Sequence, residues 1–218
     1  MPMKMAICVL AAGLACNLPA HAVRPVDRGP ALVIEQTANE LVAALDGRRD
    51  ELRNDPEGLY QIASDIFLPR FDTSFAARLI LGRYSGKATA EQRERFIDAF
   101  YQLLLLSYAK GLIHYEKDRV RILPYQGTTP GGRLAHVRTE IILDPKTRVP
   151  VDYKLRLTGG EWKVYDVLVE GVSYVQNTRR AVGEEIDRKG LEPFIVELER
   201  MASTERANAR IVRPDIGQ

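Results

Sequence analysis

Cysteine and histidine are scarce in this 218-residue chain. Both cysteines, Cys8 and Cys16, lie in an apolar N-terminal segment, and the histidines are His21, His114 and His136. Cysteine and histidine are principal zinc ligands, and histidine is the commonest general base. We therefore expect no disulfide, cysteine-ligated metal or histidine-based active site after this segment, and we interpret His114 and His136 as structural or solvated.

The common catalytic motifs are also missing from the sequence. It contains no His-Glu-x-x-His helix, no glycine-rich phosphate loop and no Gly-x-Ser-x-Gly elbow. Asp166 is the best remaining acid, because a carboxylate among apolar strand positions tends to have a raised pKa. We prefer the interpretation that Asp166 bonds nearby backbone or caps a helix. An enzyme that uses Asp166 and a tyrosine on a curved sheet stays open as an alternative; we expect no cofactor.

A large excess of charge of one sign is absent as well. The chain has 31 basic and 29 acidic residues and a formal net charge of +2. Nucleic-acid-binding proteins concentrate positive charge, so we expect no nucleic-acid partner. Arg133, Arg138, Lys154 and Arg156 are candidates for contacting an acidic partner surface, although a solvated sheet face is the preferred interpretation.

The first 22 residues have the features of an export signal. Lys4 precedes a run of small and aliphatic residues at 5–18, and Ala20 and Ala22 occupy the positions that signal peptidase recognises. The run is shorter than the roughly 20 apolar residues of a membrane span. We therefore predict that residues 1–22 are a signal peptide and that the mature protein is exported to the periplasm.

The rest of the sequence alternates between two periodicities. Apolar residues three and four apart, with capping residues at the boundaries, predict helices at 30–45, 55–68, 72–81, 89–115, 172–188 and 191–201. Strict alternation predicts strands at 135–141, 149–157 and 162–169, after a short apolar run at 120–123. This order predicts an α+β fold, with helices packed on one face of a curved antiparallel sheet that encloses an apolar cavity.

Three segments resemble the MlaC family, also called toluene-tolerance proteins. They are LILGRY and ATAEQR at 79–84 and 88–93, residues 96–108, and WKVYDVLVEGVS at 162–173. The chain departs from the family pattern where Ser85-Gly86 replace a usual Trp-Arg. The resemblance predicts an MlaC-like phospholipid-binding domain at 23–202. The polar composition of residues 203–218 predicts a flexible tail.

The resemblance implies a periplasmic carrier that performs no covalent chemistry. Members bind a glycerophospholipid and exchange it between an outer-membrane lipoprotein complex and an inner-membrane ABC transporter complex, which maintains outer-membrane lipid asymmetry. We expect the same ligand and partners here. A periplasmic chaperone or adaptor for a hydrophobic peptide stays open as an alternative, and it would require a groove open along its length.

A lipid carrier needs apolar side chains around a deep cavity. Two acyl chains of about sixteen carbons represent on the order of 20 kcal/mol of hydrophobic free energy. The cavity should lie near or above the upper end of the roughly 300–1,000 Å³ range of ligand pockets. The candidate lipid-binding residues are Leu104, Tyr108, Val137, Ile141, Val151, Tyr153, Leu155 and Val172. Ordinary core packing is the alternative for each of them.

We predict that the mature protein begins at Val23 and carries no lipid on Cys16. Cys16 lies in a possible lipoprotein box, but Gly13 stands where that box requires a large aliphatic residue. Intact-mass measurement of the exported protein, purified from the periplasm, tests this prediction. A mass that corresponds to diacylglyceryl-Cys16 at the N-terminus would contradict it.

Overall fold

The computed structural model describes residues 29–116, 119–129, 131–144 and 146–211. The predicted signal peptide and its cleavage site lie outside the described residues. So do residues 212–218 of the predicted tail.

Seven α-helices occur in the described part of the chain. They are α1 Gly29–Leu45, α2 Arg49–Leu52, α3 Pro56–Phe67, α4 Thr73–Leu81, α5 Ala90–Ala109, α6 Tyr174–Lys189 and α7 Leu191–Ile211. Short 3-10 turns follow α3, α4 and α5 at Leu68–Arg70, Gly82–Tyr84 and Lys110–His114. The helix starts agree with the capping residues in the sequence: Asp55, Asp72 and Thr89 each accept a hydrogen bond from the backbone N–H three residues later.

Five antiparallel strands form a meander within the described residues. They are β1 Val120–Ile122, β2 Leu134–Ile142, β3 Arg148–Thr158, β4 Glu161–Val169 and β5 Val172–Ser173, and their spatial order follows the chain. The expected α+β class and antiparallel sheet are confirmed. The sequence placed residue 172 in the last pair of helices. Val172 and Ser173 instead pair with β4, and α6 starts one residue later.

A bulge interrupts the pairing of β3 with β4. Lys154 lies opposite Asp166 and Leu155 lies opposite Val164, which leaves Tyr165 as an extra residue on β4. A bulge of this kind bends the strand and increases its twist. It allows Tyr165 to turn towards α4, where its ring makes a T-shaped contact with the ring of Phe75.

Two well-packed regions give the fold its rigidity. Helices α4, α5, α6 and α7 enclose an aromatic cluster around Phe96, which is fully buried and stacks on Phe100 with ring centroids 5.4 Å apart. On the other side, Ile34 of α1 packs against the inner face of the sheet at Val137 and Leu155. Because α1 covers this central part of the sheet, little space is left there for a ligand.

Helix α7 is longer than the sequence predicted. The prediction ended the helix near residue 201 and treated the polar residues from 203 as a flexible tail, but the helix continues to Ile211. Arg206 forms an ion pair with Glu57 at 2.7 Å and lies 4.4 Å above the ring centroid of Tyr60. These contacts with α3 stabilise the last turns of α7, where most residues are polar.

Helix α5 and its 3-10 turn together form a helical segment, Ala90–His114, that is long and apolar enough to cross a membrane. In the fold it packs against α3, α4 and α7. A core helix that is covered on several sides has the same composition. Residues 103–106 are apolar on every side, which predicts a helix that is covered on more than one side or lines an internal space. Helix α5 packs on three other helices and also lines a cavity.

We predict that Phe96→Ala lowers the free energy of unfolding by about 3–5 kcal/mol, because it removes a buried ring and leaves a cavity. Urea unfolding followed by circular dichroism measures this change. Val196→Ala is the matched control on α7, since that side chain is 50% exposed and its loss should change stability by less than about 0.5 kcal/mol. Equal effects of the two substitutions would contradict the prediction.

Candidate functional site

A cavity of about 360 Å³ lies between α5, β4, the start of α6 and the connection from α3 to α4. Its wall is formed by Ala63, Phe67, Leu68, Phe71, Ala76, Ile80, Phe100, Tyr101, Leu104, Leu105, Tyr108, Ala109, Leu112, Tyr165, Asp166, Val167, Val169, Tyr174 and Val175. Most of these side chains are aliphatic or aromatic, and the wall contains no histidine, lysine or arginine. Such a surface favours an apolar ligand, because it offers almost no compensation for a buried charge.

The opening of the cavity is marked by wall residues that also face solvent. Tyr108 is 62% exposed and Val169 is 47% exposed, although both line the cavity. Large apolar side chains are seldom exposed next to each other without a function. These two residues therefore define the mouth, with Tyr108 on α5 and Val169 at the end of β4.

Two of the eight predicted site residues line this cavity: Leu104 and Tyr108. The other six lie elsewhere. Val137 and Leu155 are fully buried against α1, and Tyr153 packs on the same cluster. Val151 is buried within the sheet, Ile141 is half-buried on β2 near the β1 edge, and Val172 is exposed beside the mouth without lining the cavity.

The six residues lie outside this cavity, and α1 covers the inner face of the sheet at three of them, Val137, Tyr153 and Leu155. Alternation identified the inner face of the sheet correctly, but it could not show which part of that face a helix occupies. The cavity lies instead along the second half of β4, at Tyr165, Val167 and Val169. These three belong to the segment at 162–173, which carries the family resemblance most specifically. That resemblance was the signal in the sequence that pointed to this part of β4.

The cavity volume is smaller than the sequence-based expectation. About 360 Å³ lies near the lower end of the roughly 300–1,000 Å³ range of ligand pockets, not near its upper end. The aromatic side chains Phe67, Phe71 and Tyr174 project into the wall and occupy part of the space. A ligand with two long acyl chains therefore requires the walls to move apart.

Asp166 bonds the start of a helix, as the preferred interpretation stated. It is only 4% exposed. Its Oδ1 accepts a hydrogen bond from the Val175 backbone N–H at 3.1 Å, and its Oδ2 accepts one from the Ser173 hydroxyl at 2.8 Å. Lys154 Nζ lies 3.3 Å from the same Oδ2. Both carboxylate oxygens are therefore engaged by the protein, as a structural role requires.

Burial favours the neutral form of three tyrosines of the wall. Burial raises the pKa of Tyr101 and, to a smaller extent, that of Tyr165 and Tyr174. The negative charge of Asp72 raises the pKa of Tyr101 further. A raised tyrosine pKa keeps the hydroxyl protonated, so these rings add apolar area to the wall without adding charge.

The four basic residues proposed as an outer docking surface fall into two groups. Lys154 is paired with Asp166, and Arg156 pairs with Asp72 at 3.3 Å. Arg133 and Arg138 are exposed. Half of this group therefore stabilises the fold. Within the described residues, no cluster of three His, Cys, Asp or Glu side chains has the spacing of a metal site.

Comparison with known proteins gives consistent matches over most of the chain. The family model described as MlaC protein matches residues 35–200. The intermembrane phospholipid transport system binding protein MlaC of Haemophilus influenzae is 26% identical over 180 residues, which cover 81% of this chain and 84% of that protein. The toluene tolerance protein of Pseudomonas putida is 28% identical over 186 residues, with coverage of 84% and 86%.

A solved structure shares the fold. The phospholipid-binding protein from Ralstonia solanacearum, determined in complex with a phospholipid, matches with a TM-score of 0.72 and 21% sequence identity. The match covers 82% of this chain and 98% of that chain. The arrangement of helices on an antiparallel sheet is therefore one that a known phospholipid-binding protein also adopts.

We predict that Asp166→Asn lowers the free energy of unfolding by about 1–3 kcal/mol, because the amide cannot satisfy all the donors around the carboxylate. Asp152→Asn is the matched control, since that carboxylate lies on the outer face of the sheet and contacts His136. Chemical unfolding of both variants measures the difference. A hydrolase or isomerase activity that the native protein has and the Asp166 variant lacks would contradict the structural role.

Proposed function

The chain belongs to the MlaC family, and from this we propose that it is a periplasmic carrier that binds a glycerophospholipid by its acyl chains. It moves the lipid between the outer and inner membranes and so maintains the lipid asymmetry of the outer membrane. The observation that carries the proposal is the almost wholly apolar cavity behind Tyr108 and Val169, in whose wall the carboxylate of Asp166 is already paired with Lys154. The name of the Haemophilus influenzae relative, a binding protein of intermembrane phospholipid transport, supports it.

The cavity has the chemistry that acyl chains require. Each buried methylene contributes about 0.8 kcal/mol, so even part of one chain binds appreciably in an apolar wall. The carboxylate of Asp166 in the wall is already bonded to Ser173, Val175 and Lys154, so the wall offers a polar head group little and we expect the head group to stay at the mouth. We propose that Leu104 and Tyr108 contact the acyl chains, together with Val167, Val169 and Tyr174, which line the same cavity.

Carriage of this kind requires no catalytic residue. A lipid moves from donor to acceptor when its affinity differs between the free and docked states of the carrier. Both oxygens of Asp166 accept hydrogen bonds from the protein, which fits a structural role better than the role of a general base. The protein is accordingly proposed to be a carrier and not an enzyme.

The donor and acceptor are proposed to be the partners that the family resemblance implies. They are an inner-membrane ABC transporter complex and an outer-membrane lipoprotein complex. The peptide-binding alternative is less well supported, because a peptide needs backbone hydrogen-bond partners along an open groove. The space found here is a cavity with an almost wholly apolar wall.

We predict that the purified protein carries phospholipid and that Leu104→Glu removes most of it. A carboxylate facing acyl chains loses its hydration and gains no partner, which disfavours the complex by several kcal/mol. Organic extracts of the native protein and the variant, analysed by mass spectrometry, give the lipid content per protein molecule.

Leu103→Glu is the matched control for this substitution. Leu103 is the preceding residue on α5, is also half-buried, and does not line the cavity. Circular dichroism first establishes that both variants are folded. Equal lipid content in the two folded variants would show that Leu104 is not at the site, and a native protein without phospholipid would refute the proposed function.

A further inference from the structure

Asp166 connects three neighbouring parts of the structure through buried hydrogen bonds. The carboxylate belongs to β4, and its partners are Lys154 on β3, Ser173 at the end of β5 and Val175 in the first turn of α6. Hydrogen bonds to an ionised group are stronger than neutral ones, especially where water is excluded. This carboxylate is therefore a strong point of attachment between the sheet and α6.

The start of α6 has few other attachments to the sheet. Strand β5 has two residues and pairs with β4 through two residue pairs only. The Ser173 hydroxyl donates to Asp166 and also accepts a hydrogen bond from the Gln176 backbone N–H at 3.1 Å. A negative charge near a helix N-terminus is favourable. Asp166 and Ser173 together therefore cap α6 and hold it against β4.

This attachment lies within the wall of the cavity. Val167 and Val169 form the wall on the β4 side, and Tyr174 and Val175 form it on the α6 side. Helix α6 packs most extensively on α4, and Val182 and Ile186, beyond its first turn, belong to the same core cluster as Ile80 and Leu81 of α4. Separation of the start of α6 from β4 would open the wall next to the mouth.

We propose that the hydrogen bond between Asp166 and Ser173 is a positioning contact that sets the rate at which the lipid enters and leaves the cavity. The inference rests on the proposed function. The contact holds β4 and α6 together whether the cavity is empty or filled, so its loss favours wall opening in both states. Entry and exit then both become faster, while equilibrium occupancy changes little.

The test measures transfer of a phosphatidylethanolamine with a fluorescent acyl chain from the loaded protein to phosphatidylcholine vesicles. Ser173→Ala removes the hydroxyl and should raise the transfer rate constant about tenfold, the change expected for one lost hydrogen bond to a charged group. Ser173→Thr keeps the hydroxyl and should transfer at nearly the native rate. Equilibrium occupancy should stay within about twofold of native in both variants.

Thr139→Val is the matched control for a general loss of stability. The Thr139 hydroxyl is fully buried and donates to the Val151 carbonyl at 2.6 Å, and neither residue lines the cavity. This variant should transfer lipid at the native rate. Equal acceleration by Thr139→Val and Ser173→Ala would overturn the inference, because stability alone would then control transfer.

The remaining outcomes separate this inference from the proposed function. A native protein that takes up no fluorescent phosphatidylethanolamine would refute the function itself. Uptake by the native protein with a native transfer rate in Ser173→Ala would overturn only the positioning role, as would fast transfer by Ser173→Thr. If Ser173→Ala does not fold, Ser173→Cys gives the same test, because a thiol is a much weaker hydrogen-bond donor than a hydroxyl: fast transfer at native occupancy supports the role, and a native rate overturns it.

Discussion

The structure depends on holding an apolar space open between a sheet and a layer of helices. Unfilled apolar volume destabilises a protein, because the surrounding atoms lose dispersion contacts that close packing would supply. The well-packed regions around Phe96 and Ile34 border this space and compensate for it. Close packing on both sides and an apolar space between them are therefore parts of one arrangement.

The charged side chains closest to the cavity are paired with other groups of the protein. Asp166 directs its oxygens to Ser173, Val175 and Lys154. Outside the wall, Arg156 is held between Asp72 and the ring of Phe75, 4.3 Å from its centroid. An unpaired charge near an apolar wall would attract water and weaken the hydrophobic free energy on which binding depends.

The candidate site could be predicted only in part. Leu104 and Tyr108 line the cavity, and they belong to a helix whose residues 103–106 are apolar on every side. The sequence could not distinguish them from Val137 and Leu155, which pack against α1, because an inward-facing strand residue has the same pattern whether it meets a helix or a cavity. Phe71 was not predicted, because it lies in the connection between α3 and α4, where no periodicity exists. Phe67 is the last residue of α3, and its helical spacing is the same as that of an ordinary core residue.

The sequence by itself determined the features that depend on neighbours along the chain. Capping residues such as Thr89 determined helix starts, and alternation determined the strands, because these signals act over a few residues. Only the tertiary structure decided the contacts between distant segments. It placed α1 over the central sheet, extended α7 through the ion pair of Arg206 with Glu57, and brought Asp166 to the start of α6. Such contacts depend on how whole elements pack, and a local pattern carries no information about which partner an element will meet.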